Sequence, residues 1–336
     1  MENEISTHLK QTPGDFETDE ELLDDSELIL VQAPPSRPRF APRYPTDRSK
    51  RVAMYMLLAT IVSMFWVGMR AGAGPILPQQ FFAVPQYVQE QLLFSGGVYA
   101  GALLLILGCH EMGHYLQARR YGVAASFPFF IPMPISPFGT MGAVIIQGDH
   151  AGNRKTLFDI AVSGPLAGLV AAIPILYFGL AQAHTELPPE DFAGVVYGDP
   201  LIVEWMFEAI HGPIPAGEQI ILNPLLFAAW VGVFITSLNL IPVGQLDGGH
   251  ILYALMRKKA YPVAVACLAL AVGYMSYRGT ATYGLLVVLL FLMGPFHPET
   301  GDDEAPLGWP RYLIGWATLA FIIIGFTPDP INVLGG

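Results

Sequence analysis

The sequence predicts an all-α polytopic membrane protein with six or seven transmembrane helices and one re-entrant β-hairpin. Two observations carry the prediction of a membrane protein. Of the 336 residues, 53% are hydrophobic and only 13% are charged, about half the charged fraction of an ordinary soluble domain. The apolar residues are also grouped into uncharged runs that are long enough to cross about 30 Å of hydrocarbon.

Seven runs are candidate transmembrane helices, and the last two of them are short. Only Arg278 and Gly279 separate the fifth run from the sixth, so this pair is either a tight helical hairpin or a less regular structure, and the number of spans could be six. The runs are Val52–Met69, Leu92–Cys109, Ile160–Gln182, Ile220–Gln245, Ala260–Tyr277, Thr280–Pro295 and Tyr312–Pro328.

The N-terminal segment differs in composition from the rest of the chain. Residues 1–31 contain ten acidic residues and one lysine, and a stretch rich in proline and arginine follows from Pro34. Such a composition has little to bury and predicts a disordered tail. The first apolar run begins only at Val52, which argues against a cleavable signal peptide. A bacterial plasma membrane is the simplest predicted location.

The basic residues predict the orientation of the chain in the membrane. If the N-terminus is cytoplasmic and there are seven spans, fifteen of the seventeen Lys and Arg residues lie in cytoplasmic segments, and only Arg70 and Arg278 lie outside. Lysine and arginine prefer the cytoplasmic side of a membrane. Residues 183–219, with seven acidic and no basic residues, then form an external loop.

The second run ends in the sequence LGCHEMGHYLQARRYG, which has the spacing of a metal site. On a helix, His110 and His114 lie on one face and can share a metal, while Glu111 can act as a base on a water molecule there. A catalytic zinc takes three protein ligands and leaves one position open. Gln117 and Arg120 stand where a metzincin would place its glycine and third histidine, so the third ligand must come from farther along the chain.

Asp247, in the sequence NLIPVGQLDGGH, is the leading candidate for the third ligand. An ionisable residue at this depth of an apolar run is costly and therefore indicates a functional site. His110 and Asp247 lie nine and ten residues before an arginine, so both are about 14–15 Å from a basic cytoplasmic border if the chain is helical. Asp159, which opens the third run, and His250, one helical turn after Asp247, are the alternatives.

Residues 127–147 predict the hairpin. This mostly apolar segment contains four prolines and two glycines, too many for a helix. We interpret FPFFIPMP and MGAVIIQ as two extended arms that dip into the membrane beside the metal site, where protein or a water-filled cavity must satisfy their backbone groups. In the following SGPLAGL, Gly164 and Gly168 form a small-residue face that is typical of close helix packing.

Together these segments resemble the site-2 protease family of intramembrane zinc metalloproteases, peptidase family M50. The resemblance covers about Leu92 to Leu255 and rests on HEMGH, NLIPVGQLDGGH, FPFFIPMPISPFGTMGAVIIQ and DIAVSGPLAGL. It is strongest to the bacterial and chloroplast branch that includes the plant ethylene-dependent gravitropism-deficient and yellow-green proteins. The resemblance implies a three-helix catalytic core and one Zn²⁺ per chain. It also implies that His110, His114 and Asp247 hold the zinc and that Glu111 is the general base and acid.

The resemblance also implies the substrates. In such a family, a single-pass membrane protein is cut within its transmembrane segment near the cytoplasmic face, usually after another protease has trimmed its external part. Asn239 matches the family asparagine that helps to hold the substrate strand. The expected partners are therefore membrane protein substrates and the lipid bilayer, with no nucleic acid. The alternative is a catalytically silent metal-binding scaffold, which needs ligands but has no use for Glu111.

The substrate is expected to lie along the arm from Gly139 to Gln147. A transmembrane helix must unwind before a peptide bond can reach the zinc, and its freed backbone groups then need new hydrogen-bond partners. An unpaired strand edge supplies such partners. Gly142 would allow a close backbone approach, and the N–H group of Val144 or Ile145 would face the substrate.

These interpretations divide the chain into four parts. They are a disordered cytoplasmic tail (1–51), a first transmembrane helix with its external connection (52–91), a zinc protease core that includes hairpin 127–147 and loop 183–219 (92–258), and C-terminal transmembrane helices (259–336).

Overall fold

The structure is a computed structural model that describes residues 46–71, 81–146, 152–188, 194–294, 296–297 and 300–334. All of these residues belong to one compact unit, Phe40–Gly336. The tail predicted to be disordered lies outside the described residues, except for its last six positions.

The described part of the chain is mostly helical, as predicted. Each predicted apolar run overlaps an apolar helix, although the bounds differ. In chain order the helices are α1 Asp47–Ala71, α2 Gln86–Arg120, α3 Arg154–Leu180, α4 Leu201–His211, α5 Pro224–Asn239, α6 Asp247–Met256, α7 Ala260–Arg278, α8 Gly284–Met293 and α9 Trp309–Gly325.

Four helical segments among the described residues are long and apolar enough to cross a membrane. They are α1, α2, α3 and a continuous stretch in which one 3₁₀ turn, Arg257–Lys259, joins α6 to α7. Helices α5, α8 and α9 are apolar but shorter, with 16, 10 and 17 residues. At 1.5 Å per residue, α5 measures about 24 Å, less than the hydrocarbon thickness of a bilayer. Length therefore supports four of the seven predicted spans.

The prediction of one span from Ile220 to Gln245 was wrong over its last six residues. Helix α5 ends at Asn239, and the chain turns through Pro242 and through Gly244, which has a φ of 57°. Proline cannot continue the hydrogen-bond ladder of a helix, and glycine adopts a positive φ without strain. Asp247 therefore begins the new helix α6 instead of closing a transmembrane helix.

The predicted hairpin is present. Strand β1 (Phe129–Met133) pairs antiparallel with β2 (Gly139–Val144), and the register is irregular between Phe130 and Pro132. The hairpin is anchored to two helices: the Ser63 hydroxyl of α1 donates to the Gly139 carbonyl at 2.6 Å, and the Tyr99 hydroxyl of α2 donates to the Phe138 carbonyl at 2.8 Å. It therefore lies against the long helices.

The predicted external loop 183–219 contains more structure than its composition indicated. It includes the amphipathic helix α4 and strands β3 (Thr185–Glu186) and β4 (Gly194–Tyr197). Strand β3 pairs with β5 (Gln219–Ile220), and β4 pairs with β6 (Ile331–Leu334) near the end of the chain. Val203 and Phe207 of α4 belong to the same buried cluster as Trp230, Tyr99 and Phe227, which are among the largest fully buried side chains.

Candidate metal centre

The two motif histidines lie on α2 and are buried. His110 and His114 are 3% and 6% exposed, and their Nε2 atoms are 3.2 Å apart. Because the residues are one helical turn apart, their side chains stack along one face of α2. The predicted pairing of these two histidines is what the structure shows.

Asp247 joins the histidines from the first position of α6. Its Oδ2 lies 3.0 Å from His110 Nε2, and its Oδ1 lies 3.2 Å from His114 Nε2. The two glycines that follow make this position possible. A Cβ on Gly248 would overlap the carbonyl group of Leu240, and one on Gly249 would overlap the carbonyl of Gly244. The turn before α6 therefore folds directly onto its first turn and presents the carboxylate to α2.

The spacing of these three residues fits a zinc ion. Their ligand atoms all lie within 4.8 Å of one another. In a tetrahedral zinc site the ligand atoms are about 2.0–2.1 Å from the metal and hence about 3.3 Å from each other. The two histidine nitrogens are 3.2 Å apart, which is close to that value, and Asp247 approaches each of them through a different carboxylate oxygen. Two imidazoles with one carboxylate form a donor set that zinc prefers.

The tautomer of His114 is also suited to a metal ligand. Its Nδ1 donates to the carbonyl of Ile160 on α3 at 2.8 Å, which leaves the lone pair of Nε2 directed at the site. Gly164 and Gly168 of α3 face the rings of His114 and His110, so that a side chain at Gly164 would overlap the imidazole of His114. The sequence indicated helix packing at these glycines, and the structure shows that they pack against the two histidines.

Glu111 lies on α2 with the two histidines and is beside the metal group. Its side chain is buried, with the residue 5% exposed, and it is close enough to His110, His114 and Asp247 to interact electrostatically with all three. A carboxylate in this position can accept a proton from a water molecule and return it to a leaving amine. The arrangement has the parts that hydrolysis of a peptide bond requires.

The two alternative ligands lie outside the group. The Asp159 carboxylate is bound by the Arg311 guanidinium through two hydrogen bonds of 2.7 and 2.8 Å. His250 packs its ring edge-on against His297 at 4.7 Å between centroids, and its buried Nδ1 has no hydrogen-bond partner among the described residues. The geometry thus favours Asp247 over both.

Among the residues predicted to contact a substrate, Gly142 and Asn239 are the ones that the structure brings near each other. Gly142 is buried, and a Cβ at this position would be 3.8 Å from Ile235. Asn239 lies one helical turn after Ile235 and is half-buried, so it projects from the same face of α5. Val144 is 48% exposed, and Ile145 is half-buried. A Cβ on Gly139 would lie 2.8 Å from the Cα of Met64 in α1, so Gly139 anchors the hairpin.

Two features of the site were missed from the sequence. Every residue has a backbone carbonyl, so the sequence does not indicate that the carbonyl of Ile160 accepts a hydrogen bond from His114. The partner of Asp159 lies 152 residues away, and no local pattern links it to Arg311. The position of Asp159 at the start of an apolar run does indicate that its carboxylate has a cationic partner, but not which residue that is.

Comparison with known proteins places the chain in a family. Residues 98–278 match the profile of Peptidase family M50.

The chain belongs to peptidase family M50.

The part that matches family M50 begins within α2 and ends with α7, so it contains all three members of the metal group. The family inferred from HEMGH and NLIPVGQLDGGH is therefore confirmed.

Several relatives of this chain come from plants. The chain is 31% identical over 251 residues to a protein of Oryza sativa subsp. indica named "Probable zinc metalloprotease EGY2, chloroplastic". The aligned region covers 71% of this chain and 44% of that protein. It is 27% identical over 300 residues to "Probable zinc metalloprotease EGY1, chloroplastic" of Arabidopsis thaliana, covering 83% of this chain and 53% of that protein. The chain thus spans about half the length of these relatives. No solved structure matches it significantly.

The names of the M50 relatives and the donor set of the site agree on the metal. Zinc is the cofactor that both indicate.

Proposed function

We propose that this chain is an intramembrane zinc metalloprotease that hydrolyses peptide bonds in the transmembrane segments of membrane proteins. The single observation that carries the proposal is the convergence of His110, His114 and Asp247 with Glu111 beside them. Membership of family M50 and the names of the relatives support it. The long apolar helices that bear the site support a membrane location.

The chemistry follows from the residues present. His110, His114 and Asp247 would hold one zinc per chain, which polarises the scissile carbonyl and makes water more acidic when bound. Glu111 takes the proton from the attacking water and returns it to the leaving amine as the peptide bond breaks. The Ile160 carbonyl keeps the ring of His114 in the required tautomer throughout. Glu111 also disfavours a silent metal-binding scaffold, which would need no base.

The substrates in this proposal are single-pass membrane proteins, cut as a step of regulated intramembrane proteolysis. The edge of β2 that pairs with no strand among the described residues, around Gly142 and Val144, would hold the unwound segment together with Ile145 just after it, and Asn239 would bond it from α5. The position of Gly142 near Ile235 of that helix supports this placement. Trimming of the substrate by another protease would precede the cut.

The orientation and the membrane belong to the proposal too. With a cytoplasmic N-terminus and six or seven spans, the basic ends of the helices and the metal centre face the cytoplasmic side, as the distribution of Lys and Arg favours. The sequence favours a bacterial plasma membrane, whereas the named relatives are chloroplastic.

A reconstituted cleavage assay tests the proposal. The native chain and its Glu111→Gln variant are placed in liposomes with a single-span membrane protein. We expect Glu111→Gln to bind zinc normally but to lose at least about 100-fold in cleavage rate, because no group accepts the proton. Glu90→Gln makes the same chemical change at an exposed position of α2 and should cleave normally. Native cleavage by Glu111→Gln would show that the proposed mechanism is wrong.

A further inference from the structure

The carboxylate of Asp159 connects three separate parts of the chain. It accepts hydrogen bonds from Nε and from one terminal nitrogen of Arg311, at 2.7 and 2.8 Å, and Arg311 lies in the first turn of α9. The hydroxyl of Tyr121, the residue directly after α2, also donates to Asp159. Asp159 itself lies in the second turn of α3. One side chain therefore ties α9 and the end of α2 to α3.

The residue after Asp159 carries the hydrogen bond that orients a metal ligand. Ile160 offers its carbonyl oxygen to His114 Nδ1 at 2.8 Å, and the same oxygen accepts from the Ser163 hydroxyl at 2.7 Å. The Asp159 side chain and the Ile160 carbonyl belong to consecutive residues of α3. A change in the position of the carboxylate therefore also changes the position of the carbonyl. Tyr121 lies seven residues after His114 and fixes the end of the helix that bears it.

We propose that Arg311 is a positioning residue for the metal centre, which acts through Asp159 and the Ile160 carbonyl to hold His114 in its metal-binding orientation. This inference rests on the proposed function, because it takes His114 as a zinc ligand. Arg311 lies outside the segment that matches family M50, residues 98–278. The C-terminal helix α9 thereby controls how well the core binds its metal.

The chemistry of the three side chains fits this role. A guanidinium that binds both oxygens of a carboxylate fixes its direction as well as its charge, which an ammonium group cannot do. The side chains of Asp159 and Arg311 are 12% and 29% exposed, so the pair is partly shielded from water and salt. The hydrogen bond to Asp159 raises the pKa of the Tyr121 phenol, so the phenol stays protonated and remains a donor.

Zinc affinity tests the inference without the need for a substrate. The purified native chain, Arg311→Gln and a control are titrated with zinc against a chelator of known affinity. Groups that orient metal-binding histidines typically contribute 10- to 100-fold to metal affinity. We expect Arg311→Gln to weaken zinc binding about 10-fold or more. The control is Arg278→Gln at the end of α7. It breaks the 3.0 Å ion pair of Arg278 with Asp329 and should bind zinc as the native chain does.

Two milder variants keep the test decisive if Arg311→Gln does not fold. Arg311→Lys keeps the charge but loses the two-pronged contact, and Tyr121→Phe removes a single hydroxyl. Both should bind zinc more weakly than the native chain, with unfolding temperatures of the zinc-free proteins that match that of Arg278→Gln. Equal zinc affinity in the native chain and in the Arg311 variants would overturn the inference and leave the proposed function intact. A native chain that binds no zinc would instead refute the proposed function.

Discussion

At the scale of single residues, the metal centre depends on a backbone carbonyl and on glycines as well as on its ligands. The ligands could be predicted because His, Asp and Glu at metal-binding spacing are rare within apolar runs. The surroundings of His114 could not, since they consist of the Ile160 carbonyl and the bare Cα of Gly164. The sequence predicts helix packing at Gly164 and Gly168, and the structure shows that the packed atoms belong to His114 and His110.

Gly164→Ala is expected to weaken zinc binding. The added methyl group would overlap the imidazole of His114, and the ring can avoid it only by giving up its bond to Ile160 or its position in the group. We expect a loss of about 10-fold in zinc affinity, by analogy with the loss of a group that orients a ligand. Chelator competition measures this. Gly108→Ala, on the ligand helix with nothing within 4 Å of the new atom, is the matched control. Native affinity in Gly164→Ala would show that the overlap is relieved at no cost.

At the scale of elements, apolar runs predicted where the helices lie but not where each one ends. The fourth run continues through Pro242 and Gly244 without a charge, so hydropathy alone did not reveal the break between α5 and α6. That break is what brings Asp247 to α2. Helix α4 was missed because it is only 11 residues long and carries two glutamates within an acidic loop.

Proline at the last residue of β2 or at the residue after it tests whether this arm of the hairpin holds the substrate. Proline has no N–H group, so Val144→Pro or Ile145→Pro, whichever residue faces the substrate, should cut cleavage of a helical substrate about 10-fold or more and leave zinc content normal. Val144→Ala and Ile145→Ala keep the backbone donor and serve as controls. A cleavage assay with parallel metal analysis gives the answer. If both proline variants cleave at the native rate, the substrate is held elsewhere.

At the scale of the whole molecule, the two ends of α3 report the orientation in the membrane. Lys155 lies in the first turn of this 27-residue helix and Gln182 lies two residues after its end, and both are exposed. In a chain with Cys109 and Cys267 replaced by alanine, a cysteine at Gln182 should react in intact cells with a thiol reagent that cannot cross membranes. A cysteine at Lys155 should react only after the cells are opened. The reverse pattern would contradict a cytoplasmic N-terminus.

The central claim is that the zinc group formed by α2 and α6 cuts peptide bonds inside a membrane. The most direct measurement is the mass of the products that the native chain makes from a single-span protein in liposomes. We expect products whose new ends lie within the apolar segment of the substrate. These products should disappear with a zinc chelator and return when zinc is added. Products cut only outside the apolar segment, or products that persist without zinc, would contradict it.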